Sequence, residues 1–176
     1  MKAYLLSAGA VAITAMYPNL VPAQQGPVAG VFRHGPSAAL TNASLKCLDV
    51  PYGKYAASTL LELHPCRSQT NQTFIHGRDS RITIGGLCVD AFTPGRNYVQ
   101  PGDQVGLYGC HNGTNQRWTE KYTNDLTSRY FVVGRNGQEL CLERAGQLAD
   151  GAKLVVNTCT MVENQKWYFT GGVGKR

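Results

Sequence analysis

One nine-residue phrase is written three times in this chain. CRSQTNQTF fills residues 66–74, CHNGTNQRW residues 110–118 and CTMVENQKW residues 159–167. Each opens with a cysteine, reaches Asn-Gln five positions later, and closes on an aromatic two positions after the glutamine. Each is also preceded by a partner segment: Cys47-Leu48-Asp49, Cys88-Val89-Asp90 and Cys141-Leu142-Glu143. Within a unit the two cysteines are 19, 22 and 18 residues apart, and the Asn-Gln pairs recur after 44 and then 49 residues. Self-similarity at such a period means that a small unit is packed against copies of itself.

The repeat also sorts the cysteines. Six can pair in fifteen ways, and the triplicated spacing selects the within-unit set Cys47–Cys66, Cys88–Cys110 and Cys141–Cys159. Each bridge closes a loop of about 20 residues, worth roughly 3 kcal/mol in the chain-entropy description. Zinc is disfavoured, because there is no Cys-x-x-Cys and the four histidines lack ligand spacing.

An even cysteine set belongs to an oxidising compartment, and the N-terminus agrees. Lys2 is followed by small or apolar residues to Met16, and Val21-Pro22-Ala23 offers a small-x-small cleavage pattern. Residues 1–23 are therefore expected to be a signal peptide of a secreted protein. The run is too short for a membrane span, which needs roughly 20 apolar residues. About 150 residues follow, enough for one domain. We assign 24–30 to an N-terminal extension, 31–170 to the domain and 171–176 to a flexible tail. Removing Lys2 lowers the formal charge from +6 to +5, and the remaining Lys and Arg form no run or aromatic-interleaved stripe. Nothing here marks a nucleic-acid surface.

Between the repeated segments lie short runs rich in β-branched and large apolar residues, such as Leu60-Leu61-Glu62-Leu63, Arg81-Ile82-Thr83-Ile84, Tyr130-Phe131-Val132-Val133 and Lys153-Leu154-Val155-Val156. Gly, Pro, Asn and Asp clusters separate them, and no stretch supports a helix longer than one turn. The expectation is an all-β chain of three four-stranded units around a pseudo-threefold axis, which leaves no long open sheet edge. The i, i+2 spacing of Gln72/Phe74, Gln116/Trp118 and Gln165/Trp167 places both members on one side of a strand. The aromatic then enters the core, and the glutamine amide ties backbone at the strand end.

Three copies of Cys-x-Asp/Glu, a second Cys and Asn-Gln-x-aromatic resemble the ricin B-chain-type β-trefoil lectins, over essentially residues 31–169. The resemblance implies a β-trefoil with a shallow galactose-type pocket in each unit. There the acid accepts hydrogen bonds from sugar hydroxyls, an aromatic two places before the second Cys stacks on the sugar, Asn bonds another hydroxyl, and Gln supports the acid. It implies no catalysis, metal or cofactor.

Carried over residue by residue, unit two keeps the set best, with Asp90, Tyr108, Asn115 and Gln116, although Gly106 stands where the family has a further polar side chain. Unit one has Asp49, Asn71 and Gln72, with Glu62 at that polar place and His64 where the ring belongs. Unit three has Glu143 for the acid and Asn157 for the ring, so Asn164 and Gln165 there are expected to be structural. The function implied is a secreted carbohydrate-binding protein with one good site and one weak one. Its partner would be a glycan or glycoconjugate. The alternative is a non-catalytic targeting subunit of a secreted toxin or hydrolase complex.

Other motifs lack context. Arg33-His34-Gly35-Pro36 has no phosphatase partners just downstream, and Gly171-Gly172-Val173-Gly174-Lys175 has no Ser/Thr or helix after its lysine. Asn42, Asn71 and Asn112 open glycosylation sequons, and modification of Asn71 would be incompatible with a sugar site in unit one.

Overall fold

The computed structural model describes residues 27–35, 45–67, 69–123, 127–160 and 162–171. The proposed signal peptide, most of the tail and the Asn42 sequon lie outside them. The described residues form twelve strands, and every fourth one begins a new unit. Unit one contains β1 (Val28–His34), β2 (Lys46–Asp49), β3 (Glu62–Pro65) and β4 (Phe74–His76). Unit two contains β5 (Ile82–Ile84), β6 (Leu87–Ala91), β7 (Val105–Tyr108) and β8 (Thr119–Tyr122). Unit three contains β9 (Ser128–Val133), β10 (Glu139–Arg144), β11 (Ala152–Thr158) and β12 (Tyr168–Gly171).

The first and fourth strands of the units close a ring. β1 pairs with β4 and β12, β4 with β5, and β8 with β9, all antiparallel. The remaining two joints are made by single residues: Trp118 N–H donates to Ser80 O (2.6 Å), and Ser128 bridges Trp167. The second and third strands form hairpins β2–β3, β6–β7 and β10–β11. These meet one another about the axis through three equivalent backbone bonds. Ser58 N–H donates to Leu107 O (2.7 Å), Gly102 N–H to Val156 O (2.8 Å) and Gly151 N–H to Leu63 O (2.8 Å). All three donors have left-handed φ, +67°, +88° and +77°. A ring with a hairpin triplet over it is a β-trefoil, and its closure leaves few unpaired edges.

The core lies inside this ring. Phe74, Trp118 and Trp167 are fully buried, together with Phe32, Tyr130 and a leucine-rich layer that includes Leu48, Leu63, Leu107 and Leu142. Each indole also satisfies its N–H, Trp118 on Val89 O (2.9 Å) and Trp167 on Leu142 O (3.1 Å). Val89 and Leu142 stand between the cysteine and the acid of their units, so a core ring pins the strand that carries the acid. The disulfides are Cys47–Cys66, Cys88–Cys110 and Cys141–Cys159, the within-unit set.

Two expectations change. The Asn-Gln pairs are not strand residues; each sits in a one-turn 3₁₀ helix (Thr70–Gln72, Thr114–Gln116, Glu163–Gln165) that precedes the last strand of its unit. The aromatic follows two residues after the turn ends, which is why glutamine and ring are both buried without sharing a strand face. Of the expected extension 24–30, residues 28–30 instead open β1 and pair with β4, while Phe32 of the same strand stacks edge-on with Phe74 and Tyr130. Gly171 likewise belongs to β12 and not to the tail.

Because Trp118 fills the ring and hydrogen-bonds β6, Trp118→Ala should cost about 3–5 kcal/mol in urea unfolding, whereas Tyr122→Ala, at an exposed ring, should stay within about 0.5 kcal/mol.

Candidate functional site

Every unit builds the same clamp. The glutamine Nε2 donates to the acid of the preceding hairpin: Gln72 to Asp49 (2.8 Å), Gln116 to Asp90 (2.7 Å) and Gln165 to Glu143 (2.6 Å). It also donates to the carbonyl just before the second cysteine, of Pro65, Gly109 or Thr158. The Oε1 accepts from the N–H just after that cysteine, of Arg67, His111 or Thr160. Both amide hydrogens and the oxygen are therefore used, and all three glutamines are buried. Gln72 and Gln116 position the acid; their amides have no donor left for a ligand.

The asparagine separates the units. In unit two Asn115 Nδ2 donates to Asp90 Oδ1 (3.0 Å) and to Ala91 O (3.3 Å), which leaves its oxygen as an acceptor. Asp90 also faces His111, with Nε2 3.3 Å from Oδ2. The His111 Nδ1 accepts Gly113 N–H (2.9 Å), so in the neutral ring the proton is on Nε2 and points to the carboxylate. Three of the roughly four acceptor positions of Asp90 are taken, and the carboxylate lines an open cleft. Burial raises the Asp90 pKa above the ordinary aspartate value, opposed by Gln116, His111 and Asn115. Tyr108, 46% exposed, presents its ring beside His111 and Asp90 on the wall of this cleft, which encloses about 740 Å³.

Gly106 is directly opposite Asp90 in the ladder. A Cβ there would lie 2.5 Å from the Phe92 ring and 2.6 Å from Thr59 O. No side chain fits at that place, and Phe92 fills it with an apolar floor. The sequence reading did not identify Phe92 or His111 as site residues. His111 was readable only as the residue after a cysteine, and Phe92 only as two positions past the acid.

Unit one repeats the arrangement with Asn71 donating to Asp49 Oδ1 (3.0 Å) and to Val50 O (3.1 Å). Because both N–H groups are so used, the Asn71 sequon cannot be glycosylated without dismantling this site. His64 is held by Glu62, with 2.9 Å between Nε2 and Oε2, and Glu62 also takes Lys153. The pocket is smaller, about 220 Å³, and includes Tyr52 and Arg67. Tyr52 is fully exposed and has φ +56° in the turn after Asp49. Unit three has Gly146, φ +67°, at the matching position. A tyrosine is thus held in a backbone region that disfavours side chains, with its ring in solvent at the pocket rim.

Unit three is closed. Arg144 follows Glu143, where the other units have Val50 and Ala91, and its guanidinium takes the oxygen of Asn164 and the carbonyl of Gly146. Its Nε donates to His34 Nε2 (3.0 Å), while His34 Nδ1 donates to Lys166 O (2.9 Å). Glu143 is occupied by Gln165 and Asn157. The amide oxygen that stays open in units one and two is consumed here.

Comparison with known proteins agrees with the β-trefoil fold. Residues 36–167 match the family profile described as the ricin-type beta-trefoil lectin domain. The chain belongs to this family. Among solved structures of similar fold is the agglutinin from Abrus precatorius (20% identity, 81% of this chain and 48% of that chain, TM-score 0.61). Another is the C-half of an earthworm R-type lectin in complex with GalNAc (13% identity, 81% and 99%, TM-score 0.59). A third is a mosquitocidal holotoxin (12% identity, 84% and 17%, TM-score 0.63). At these identities the likeness is one of fold. The chain spans about half of the agglutinin chain and a small part of the holotoxin. No curated protein sequence matches it significantly.

His34 sets a pH limit on this lectin-family domain. Burial, with the Arg144 charge adding and the Lys166 carbonyl opposing, lowers its pKa to about 4. The neutral ring is the folded form, so its contribution is complete above the unfolded value near 6.5 and is lost as pH falls towards 4. Stability should drop across that window by up to about 3 kcal/mol, and urea midpoints of a His34→Gln variant should show a smaller drop.

Proposed function

We propose that this chain is a secreted, non-catalytic carbohydrate-binding protein that recognises galactose-type or related glycans, chiefly through unit two and more weakly through unit one. The observation that carries the reading is the joining of an exposed ring, Tyr108, to a clamped carboxylate, Asp90, and an open amide oxygen, Asn115, in one cleft. A pyranose offers a C–H face that packs on a ring and an edge of hydroxyls that need oriented partners. Asp90 accepts a hydroxyl proton, Asn115 Oδ1 a second, and His111 Nε2 stands at the same edge. Membership of the ricin-type family supports this use, as does the GalNAc complex of the earthworm lectin. The three disulfides support an oxidising, extracellular setting.

In unit one Tyr52 supplies the ring that His64, tied to Glu62, presents poorly. A single pocket of this kind binds modestly, and two engaged on one surface raise the apparent affinity. A second reading is the targeting arm of a toxin or hydrolase complex; the holotoxin shows that a trefoil of this shape can stand within a toxin. Co-elution of a catalytic partner with the native chain would favour it, and a lone monomer would remove it.

On a glycan array, Asp90→Ala with Tyr108→Ala should remove most binding, and unchanged binding would overturn the unit-two assignment. Tyr52→Ala should weaken multivalent binding by a few-fold while leaving unit two intact, read as residual binding that Asp90→Ala then abolishes. Acidification should weaken sugar binding at a higher pH than titration of an exposed aspartate, because protonated Asp90 loses an acceptor; calorimetric titrations at falling pH measure this.

A further inference from the structure

The Tyr52 ring stands in solvent, so its place at the rim of the unit-one pocket is set by the loop that carries it. That loop, residues 51–58, is anchored at both ends by backbone bonds. Val50 N–H donates to Asn71 O (2.9 Å), and Ser58 N–H donates to Leu107 O (2.7 Å). Between the anchors the chain folds on itself. Gly53 N–H donates to Val50 O (2.9 Å), Lys54 N–H to Pro51 O (3.0 Å) and Tyr55 N–H to Gly53 O (3.0 Å). Tyr52 and Ser58 have left-handed φ, +56° and +67°, where a side chain is strained. Such a conformation persists only where its surroundings over-determine it.

Tyr55, in the middle of the loop, lines neither pocket. Its ring rests instead on unit two, against the two-residue turn Gly85-Gly86 that joins β5 to β6. Both glycines have left-handed φ, +58° and +78°, as a tight hairpin turn requires. They differ in what surrounds them. A Cβ at Gly85 would lie 2.5 Å from Tyr55 Cδ1, 2.7 Å from its Cγ and 3.1 Å from its Cβ. A Cβ at Gly86 would have nothing within 4 Å. Gly85 therefore serves the turn and also makes the seat for Tyr55. Because the close approach reaches Tyr55 Cβ, rotation of the ring alone would not clear a side chain there, and the loop backbone would have to shift.

We propose that Tyr55 is a positioning residue for the unit-one pocket, holding Tyr52 at the rim through its seat on the Gly85-Gly86 turn of unit two. The inference rests on the carbohydrate reading above and adds that binding in unit one depends on a turn of its neighbour. Tyr55 acts through the loop and touches no ligand.

The test is an NMR titration of the full oxidised chain with methyl α-galactoside and methyl α-N-acetylgalactosaminide. The amide shifts of Arg67 and Asn71, which line the unit-one pocket, read that site separately from unit two. Gly85→Ala and Gly86→Ala both place an alanine at left-handed φ, and only the first meets Tyr55. Gly85→Ala and Tyr55→Ala should each raise the unit-one Kd about three- to tenfold, the range that one well-placed aromatic ring supplies. Tyr52→Ala should add nothing further to Tyr55→Ala, because the two act as a unit. Gly86→Ala should bind as the unsubstituted chain does, and so should Tyr55→Phe, which keeps the contacting ring atoms. If Gly85→Ala does not fold, the Tyr55→Ala and Tyr55→Phe pair decides the question. An unchanged Kd in Tyr55→Ala, or equal losses in the two glycine variants, overturns the role of Tyr55 alone. Absence of any unit-one shift with either sugar in the unsubstituted chain overturns it together with the carbohydrate reading of unit one.

Discussion

Three glutamine side chains that never meet solvent hold the corners of this molecule. A buried primary amide must place two hydrogens and one oxygen on partners. Gln72, Gln116 and Gln165 do so on an acid, on the carbonyl before a half-cystine and on the N–H after it. Each therefore ties a 3₁₀ turn to a hairpin and to a disulfide in one step. The aromatic two positions on completes the joint from inside. Lost geometry at one amide would displace the acid, the bridge and the core ring together.

What a ligand could meet is what the clamp leaves over. The glutamine consumes itself in holding the acid, so only the acid's remaining capacity and the asparagine oxygen stay open. In unit three that oxygen is taken by Arg144, and the arginine is in turn held by a neutral His34 wedged against Trp167. A site copy has there become an inter-strand tie. The same framework thus leaves the asparagine oxygen open or consumes it in cohesion according to the residue after the acid: Val50, Ala91 or Arg144.

Much of this was legible in the residues. The disulfide pairing, the all-β character and the three buried rings all follow from spacing that repeats three times. The 3₁₀ setting of Asn-Gln was not legible, because a period of two also describes a turn that leads into a strand. The role of residues 28–30 was missed for another reason. The strand they form has no repeated marker, and its partners β4 and β12 lie far along the chain. Ser58 enters a pocket from a loop whose length differs between units, and Phe92, His111 and Tyr52 stand at repeated positions whose residue type changes from unit to unit, so alignment of the repeats gave no signal for them.

The sequence by itself determined the unit, its internal staple and the chemistry offered at each acid, since those depend on residues a short distance apart under a strict spacing. Tertiary structure alone decided which sites remain open. Openness depends on how neighbouring units meet. The Phe92 ring occupies space beside Gly106, Arg144 reaches across to His34 from the first strand, and the hairpin junction sends Ser58 of one unit into the cleft of the next. Such contacts are set by packing about the axis, and no local pattern encodes them.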